Sequence, residues 1–149
     1  MPDTQDMCAL QAAGWRQRSS SGYMALLGPL WARREEGSWA YGLLATPAHL
    51  NPAGIVHGGL LMSFIDHAVS LVAWEAVGRK ACVTVQLDTH FLAAVRAGQF
   101  LEARARVVGA TSSLVFMQGS LSCAGTEVAT ASALLKTVGR SDGTGAPTN

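Results

Sequence analysis

Charge is scarce in this sequence. Lys, Arg, Asp and Glu supply 14% of its 149 residues, while 49% are hydrophobic. Globular domains average about 25% charged residues, so a surface this poor in charge is expected to be partly covered by another subunit. The charges also nearly cancel, to a net of +1. That leaves no broad basic field for a phosphate backbone and argues against nucleic acid as a partner. Cysteine is rare as well. Cys8, Cys82 and Cys123 are odd in number and lack metal or redox spacing, so they read as free thiols in a reducing compartment. No apolar run is long enough to span a bilayer. Residues 1–7 are polar and lack the hydrophobic core of a secretory signal. These absences place the chain in the cytoplasm with no membrane partner. No internal repeat is present.

What is there fits one domain, long enough to bury about two thirds of its unfolded surface without staples. Residues 1–21 are a weakly patterned N-terminal segment with a short helix over 9–18, ended by Ser19-Ser20-Ser21-Gly22. Strands are expected at 27–34 and 39–45, joined by a hairpin turn at 35–38. Residues 46–56 carry two prolines and a glycine and read as an ordered loop. Residues 58–77 are apolar almost all round, the mark of a central helix. Gly78-Arg79-Lys80 closes it with a glycine and two cations. Strands follow at 82–92, 101–107, 114–123 and 127–138, the last two forming a hairpin around Ala124-Gly125. The domain thus runs over 22–138, and the small, polar residues 139–149 read as a disordered tail. One long helix followed by consecutive antiparallel strands predicts an α+β fold with an antiparallel sheet.

The densest chemical signal lies between Asn51 and Asp66. A polar loop ends in His57-Gly58-Gly59, and the apolar helix starts at once. Glycines at a helix start let backbone N–H groups approach a ligand closely. Those first N–H groups have no partner inside the helix, and the macrodipole makes that end electropositive. The result is a ready site for an anion or a developing oxyanion. Asp66 is a lone carboxylate inside the apolar helix, and there it must be paired, protonated or functional. His57 fits a helix cap or loop anchor, and Asn51, before Pro52, also fits a turn former. Period two along the 82–92 strand sets Thr84 on one face with Gln86, Asp88 and His90. Asp88 and His90 lack a third ligand at a convincing spacing, so no metal site is expected.

His57-Gly58-Gly59, the later Asp66 and the preceding Asn51 and Gly54 resemble the acyl-CoA thioesterases of the hotdog fold, with the phenylacetyl-CoA-type (PaaI-like) branch as the nearest match. The run from Val83 to Leu92 and Gly98 are similar to that branch's third strand and following turn. The resemblance covers residues 22–138 and departs at Ala93-Ala94, where the family often carries a basic residue and a proline. It implies a hotdog fold, an antiparallel sheet wrapped around a long central helix. By the same resemblance Asp66 is the catalytic carboxylate, acting as general base or nucleophile, and the Gly58 N–H is the oxyanion donor. Asn51 positions the carbonyl or the water, His57 orients the loop, and Thr84 sets a hydroxyl beside the carboxylate. Gly59, Thr111, Ser112 and Ser113 fall among the substrate-binding positions. Trp31, Trp39 and Phe64 read as core residues, with the lining of an acyl pocket as the alternative. The arginines at 33, 34, 79, 96, 104 and 106, with Lys80, read mostly as solvated charges, with contact to the coenzyme A phosphates as the alternative.

The implied reaction hydrolyses an aryl- or medium-chain acyl-CoA to the acid and coenzyme A. A thioester is already activated, so one carboxylate and one oxyanion site suffice and no cofactor is required. The competing expectations are a hotdog hydratase or dehydratase and a non-catalytic acyl-CoA-binding sensor. One geometric point stands apart from the family. Gly58 and Asp66 are eight positions apart, which is roughly 12 Å along one helix. One carbonyl needs both groups within about 3 to 4 Å. Two such helices antiparallel across a two-fold axis would bring each Gly58 to the other's Asp66. A homodimer, or two dimers paired into a homotetramer, is therefore expected, with sites at the subunit interface.

Overall fold

The computed structural model describes residues 4–139, so the tail expected at 139–149 lies, apart from Gly139, outside the described residues. Helix α1 spans Thr4–Ala12, strand β1 Arg16–Arg18, helix α2 Gly22–Leu26, strand β2 Leu30–Glu35 and strand β3 Ser38–Leu44. A 3-10 turn at Pro47–His49 leads to the long helix α3, Gly58–Ala76. Strands β4 (Cys82–Phe91), β5 (Phe100–Ala110), β6 (Leu114–Cys123) and β7 (Thr126–Thr137) follow. All seven strands form one sheet in the order β1-β2-β3-β5-β6-β7-β4, and every pairing is antiparallel. This is the hotdog arrangement, with α3 lying against the inner face of the sheet.

The inner face and α3 make the main core. Leu60, Leu61, Phe64, Ile65, Ala68, Val69 and Ala73 give α3 its buried side. The spacing of those residues follows the helical period. Leu101, Ala103, Val115, Met117, Leu121, Ala131 and Leu135 meet them from alternate positions of β5, β6 and β7. Gly119 marks the tightest approach, since a Cβ there would stand 2.8 Å from Val69. The helix is not apolar on every side. Met62, Ser63, Asp66, His67, Ser70 and Trp74 lie on its exposed or half-buried side. A second, smaller cluster of Trp15, Trp31, Ala40 and Phe100 sits on the outer face, where Met7 and Leu10 of α1 pack over it.

Three expectations are corrected here. The helix expected over 9–18 ends at Ala12, because Gly14 turns the chain at φ +87° and Arg16–Arg18 instead pair with β2. The strand expected from Leu27 begins at Leu30, after α2 and the left-handed Gly28 (φ +107°). Most consequential is β4. Its register against β7 shifts between Thr84 and Gln86, so Val85 is an extra residue on that strand. Thr84 therefore shares the inner face with Leu87, Thr89 and Phe91, opposite Leu135, Ala133, Ala131 and Ala129. Gln86, Asp88 and His90 face outward, opposite Leu134, Ser132 and Thr130. Uninterrupted alternation would have kept Thr84 with Asp88.

The hairpin turns follow their residues. Gly37 takes φ +72°, and Ala124 and Gly125 take φ +47° and +80°, the paired left-handed conformation that a two-residue hairpin needs.

Candidate active site

The loop before α3 is built by its own polar side chains. His49 Nδ1 accepts from the Thr46 N–H at 3.0 Å. Asn51 Oδ1 accepts from the N–H groups of Ala53 and Ile55 at 3.0 and 3.3 Å, so that oxygen is committed to the turn. The Val56 N–H donates to the Val95 carbonyl, and the His57 N–H to that of His49. His57 is the N-cap of α3, its Nδ1 accepting from the Gly59 N–H at 2.8 Å. In its neutral form the ring then carries its proton on Nε2. Gly59 has to be small for this cap, because a Cβ would stand 2.9 Å from His57 Nδ1.

These bonds single out one donor. In the first turn, Gly59 donates to the His57 ring, and Leu60 and Leu61 donate to the His57 carbonyl. The Gly58 N–H has no partner among the described residues. It faces a cleft of about 360 Å³ lined by Asn51, Leu61, Phe91 and the 92–95 turn, the turn that holds Ala93-Ala94. The Phe91 ring lies 3.2 Å from where a Gly58 Cβ would be. An electropositive helix end with one open N–H and glycine-sized clearance can accept a developing negative oxygen.

Two turns along, Asp66 projects from the flank of α3 toward β4. Its Oδ1 accepts from the Thr84 hydroxyl at 2.7 Å. That contact exists because the bulge at Val85 turns Thr84 inward. Ser70, four residues after Asp66, brings its Oγ to 3.5 Å from Thr84 Oγ1. With the Thr84 proton committed to Asp66, Ser70 is placed to donate to Thr84. The second carboxylate oxygen of Asp66 has no bond among the described residues. Asp66 is half-buried, so one oxygen is held and the other is open to a reactant. Burial lowers the pKa of neighbouring His67, against the opposing pull of the Asp66 charge.

The remaining candidates do not gather there. Thr111 closes the β5–β6 turn, its hydroxyl accepting from the N–H groups of Ser113 and Leu114. The Ser113 carbonyl accepts from Thr137, which puts Thr111, Ser112 and Ser113 at the end of the sheet away from Gly58. Arg33 and Arg104 are engaged with Glu35 and Glu102 on the outer face, and Arg79 pairs with Glu75. Arg106 bonds to Gln118. Trp31 belongs to the outer cluster and Phe64 to the core, whereas Trp39 borders an open groove. Among the described residues no group of three His, Cys, Asp or Glu side chains converges as a metal site would require. Burial raises the thiol pKa of Cys82 and Cys123, which makes both poor nucleophiles near neutral pH. Two neighbours of the site were not singled out in the sequence. Ser70 has a detectable signal, its i+4 spacing from Asp66. Phe91 has none, since it reaches Gly58 only through the sheet.

The family model for the thioesterase superfamily matches residues 53–141, from the loop before α3 through the last strand. The chain belongs to that superfamily. This thioesterase is a thioester hydrolase of the hotdog fold. It is 26% identical to a phenylacetic acid degradation-related protein from Ralstonia eutropha JMP134, with 92% of each chain covered and a TM-score of 0.64. The PaaI protein of the Escherichia coli phenylacetic acid degradation operon shares 19% identity, with 89% of this chain and 85% of that one covered and a TM-score of 0.64. A hypothetical thioesterase of Streptococcus pneumoniae, solved with coenzyme A, shares 19% identity over 83% of this chain and 97% of that one, with a TM-score of 0.68. At 19% identity these last two speak for the fold alone. No curated protein matches the thioesterase. No helix among its described residues is long and apolar enough to cross a membrane.

Proposed function

We propose that the thioesterase hydrolyses aryl- or medium-chain acyl-CoA to the free acid and coenzyme A, with Asp66 as the working carboxylate. The observation that carries this is the Asp66–Thr84 bond, which fixes one carboxylate oxygen and leaves the other open. The Gly58 N–H receives the carbonyl oxygen as negative charge develops on it. Asp66 acts in one of two ways. It takes a proton from the water that attacks the carbonyl carbon, or it attacks that carbon itself and water then releases the acid. In both, the carbon–sulfur bond breaks and the coenzyme leaves as its thiolate. The Streptococcus pneumoniae protein of the same fold was solved with coenzyme A, the leaving group that this reaction implies. His57 and Asn51 hold the helix entrance rather than move protons, in keeping with the bonds their side chains already make.

The two halves of the site stand roughly 12 Å apart in one chain, so the working site is composite, with Gly58 of one subunit facing Asp66 of the other. Support comes from β4. It ends the sheet with one side unpaired, and Val83, Val85 and Phe91 on it, with Leu92 just beyond, are about half exposed. A long apolar edge invites a second copy. The test of the chemistry is a steady-state assay over a panel of acyl-CoA thioesters, run with the Asp66→Asn variant. Asp66→Asn should lower kcat at least about a hundredfold with a smaller change in KM. A folded Asp66→Asn protein with near-native kcat removes Asp66 from the mechanism.

A further inference from the structure

A groove of about 530 Å³ lies on the other flank of α3 from Thr84, between that helix, α2 and the inner face of β2 and β3. Its walls are apolar where Met24, Leu30, Trp39 and Leu71 line it; Tyr41 and His67 enter among them, and the serines at 19–21 line it as well. Charged neighbours are already engaged: Glu75 with Arg79 at 3.5 Å, and Arg18 over the Trp39 ring at 5.3 Å. Among the described residues, Tyr41 and His67 are not. Burial acts first on each, then neighbouring charges, and no hydrogen bond is among the influences on either. Tyr41 is 8% exposed and its hydroxyl pKa is raised, so it stays a donor. A pocket with apolar walls and a few convergent polar groups is the usual form of a small-molecule site.

The groove connects to Asp66 around the surface of α3. Each helical residue turns the direction by about 100°. Measured from Asp66, Ser70 then lies at about 40°, Ser63 at about 60° and His67 at about 100°. Both serines are small and tied back: Ser63 Oγ bonds to the Gly59 carbonyl at 2.7 Å and Ser70 approaches Thr84. Tyr23 of α2 bonds to Ser63 at 2.8 Å, which pins α2 as the groove's outer wall. A shallow path roughly 8 Å long therefore leads from the open oxygen of Asp66 over the two serines into the groove.

We propose that this groove takes the acyl group of the thioester attacked at Asp66, and that Tyr41 and His67 select an acyl chain carrying a hydrogen-bonding oxygen at its far end. This rests on the reading of Asp66 as the working carboxylate. Tyr41 is nearly buried and His67 half-buried, so an acyl chain that enters the groove displaces the water around their polar atoms; a chain that bonds to them in its place is favoured, and one that leaves them unpaired is penalised.

The experiment compares octanoyl-CoA with 8-hydroxyoctanoyl-CoA on the full-length enzyme. The wild type should show kcat/KM at least about tenfold higher for the hydroxylated chain. Tyr41→Phe and His67→Leu should each bring the ratio toward one, mainly through a loss on the hydroxylated substrate. His67→Gln, which keeps a hydrogen-bonding group, should restore part of it. Should His67→Leu fail to fold, Tyr41→Phe still decides, as it deletes a single oxygen. Turnover of both substrates at a ratio near one, or variants that scale both substrates alike, overturns the groove assignment and leaves Asp66 in place. No turnover of any acyl-CoA overturns the reading of Asp66 and the groove assignment with it.

Discussion

At the scale of single residues, the site depends on how one carboxylate is held. Asp66 sits on a half-buried helix flank, where rotation about its side-chain bonds would swing the open oxygen away from a substrate. The Thr84 hydroxyl, 2.7 Å from Oδ1, limits that rotation. A hydrogen bond to a charged group contributes about 1.5–3 kcal/mol, or roughly 10- to 100-fold if it acts in the transition state. Thr84→Val has nearly the same shape and lacks the donor. It should lower kcat by roughly 10- to 100-fold with little loss of thermal stability. Thr84→Ser keeps the donor and should recover most of that rate. Steady-state kinetics on the two variants decide the matter, and equal kcat for Val and Ser would make the hydroxyl a bystander.

At the scale of elements, β2 and β5 are tied together across β3 by charge on the outer face. Glu35 of β2 accepts two bonds from Arg104 of β5, each 2.8 Å, and one from Arg33 at 2.7 Å. The Arg104 hydrogen bond is the largest cause holding the Glu35 carboxyl down at about 2, from an ordinary 4.5. The folded state thus binds this proton more weakly than the unfolded chain. Its stabilisation is complete above pH 4.5 and is lost as pH falls toward about 2. Glu35→Gln removes that linkage. Urea midpoints measured between pH 6 and pH 2 should fall more steeply for the wild type. The gap at neutral pH should be about 1 to 2 kcal/mol, since both partners remain partly in solvent. Parallel pH profiles would mean that the network contributes no linked stability.

The same scale shows what the sequence reveals and what it hides. The α3 pattern and the alternation in β5, β6 and β7 are readable because each buries one regular face against the other. Gly37 and Ala124-Gly125 mark their turns through backbone conformation alone. The β4 bulge leaves no such trace. Val83, Thr84 and Val85 are all β-branched, so an extra residue among them changes neither propensity nor apparent pattern. Arg16-Gln17-Arg18 is polar and three residues long, and only pairing with β2 makes it a strand. Within the candidate site, Asp66 stands out locally as a charge among apolar neighbours. The Phe91 ring against Gly58 and the inward turn of Thr84 depend on contacts between distant segments.

At the scale of the whole molecule, the separation of Gly58 from Asp66 has to be resolved. Eight helical positions put them roughly 12 Å apart, and an aspartate side chain is too short to close that gap. The open edge of β4 runs beside α3, with Phe91 at the Gly58 end and Thr84 at the Asp66 end. A second copy pairing along that edge by two-fold symmetry would reverse the direction and bring each end to its complement. Complementation tests this directly. Gly58→Val places a side chain against the Phe91 ring, 3.2 Å from the new Cβ, and blocks the cleft end. That variant and Asp66→Asn should each be nearly inactive alone. Refolded together, a mixed dimer holds one site with both intact halves. At random mixing about half the dimers are mixed, each with one working site of two, so recovered activity should approach but not exceed roughly a quarter of wild type. Mixed dimers verified by mass, built from two folded variants and still inactive, would show that each chain carries its own complete site.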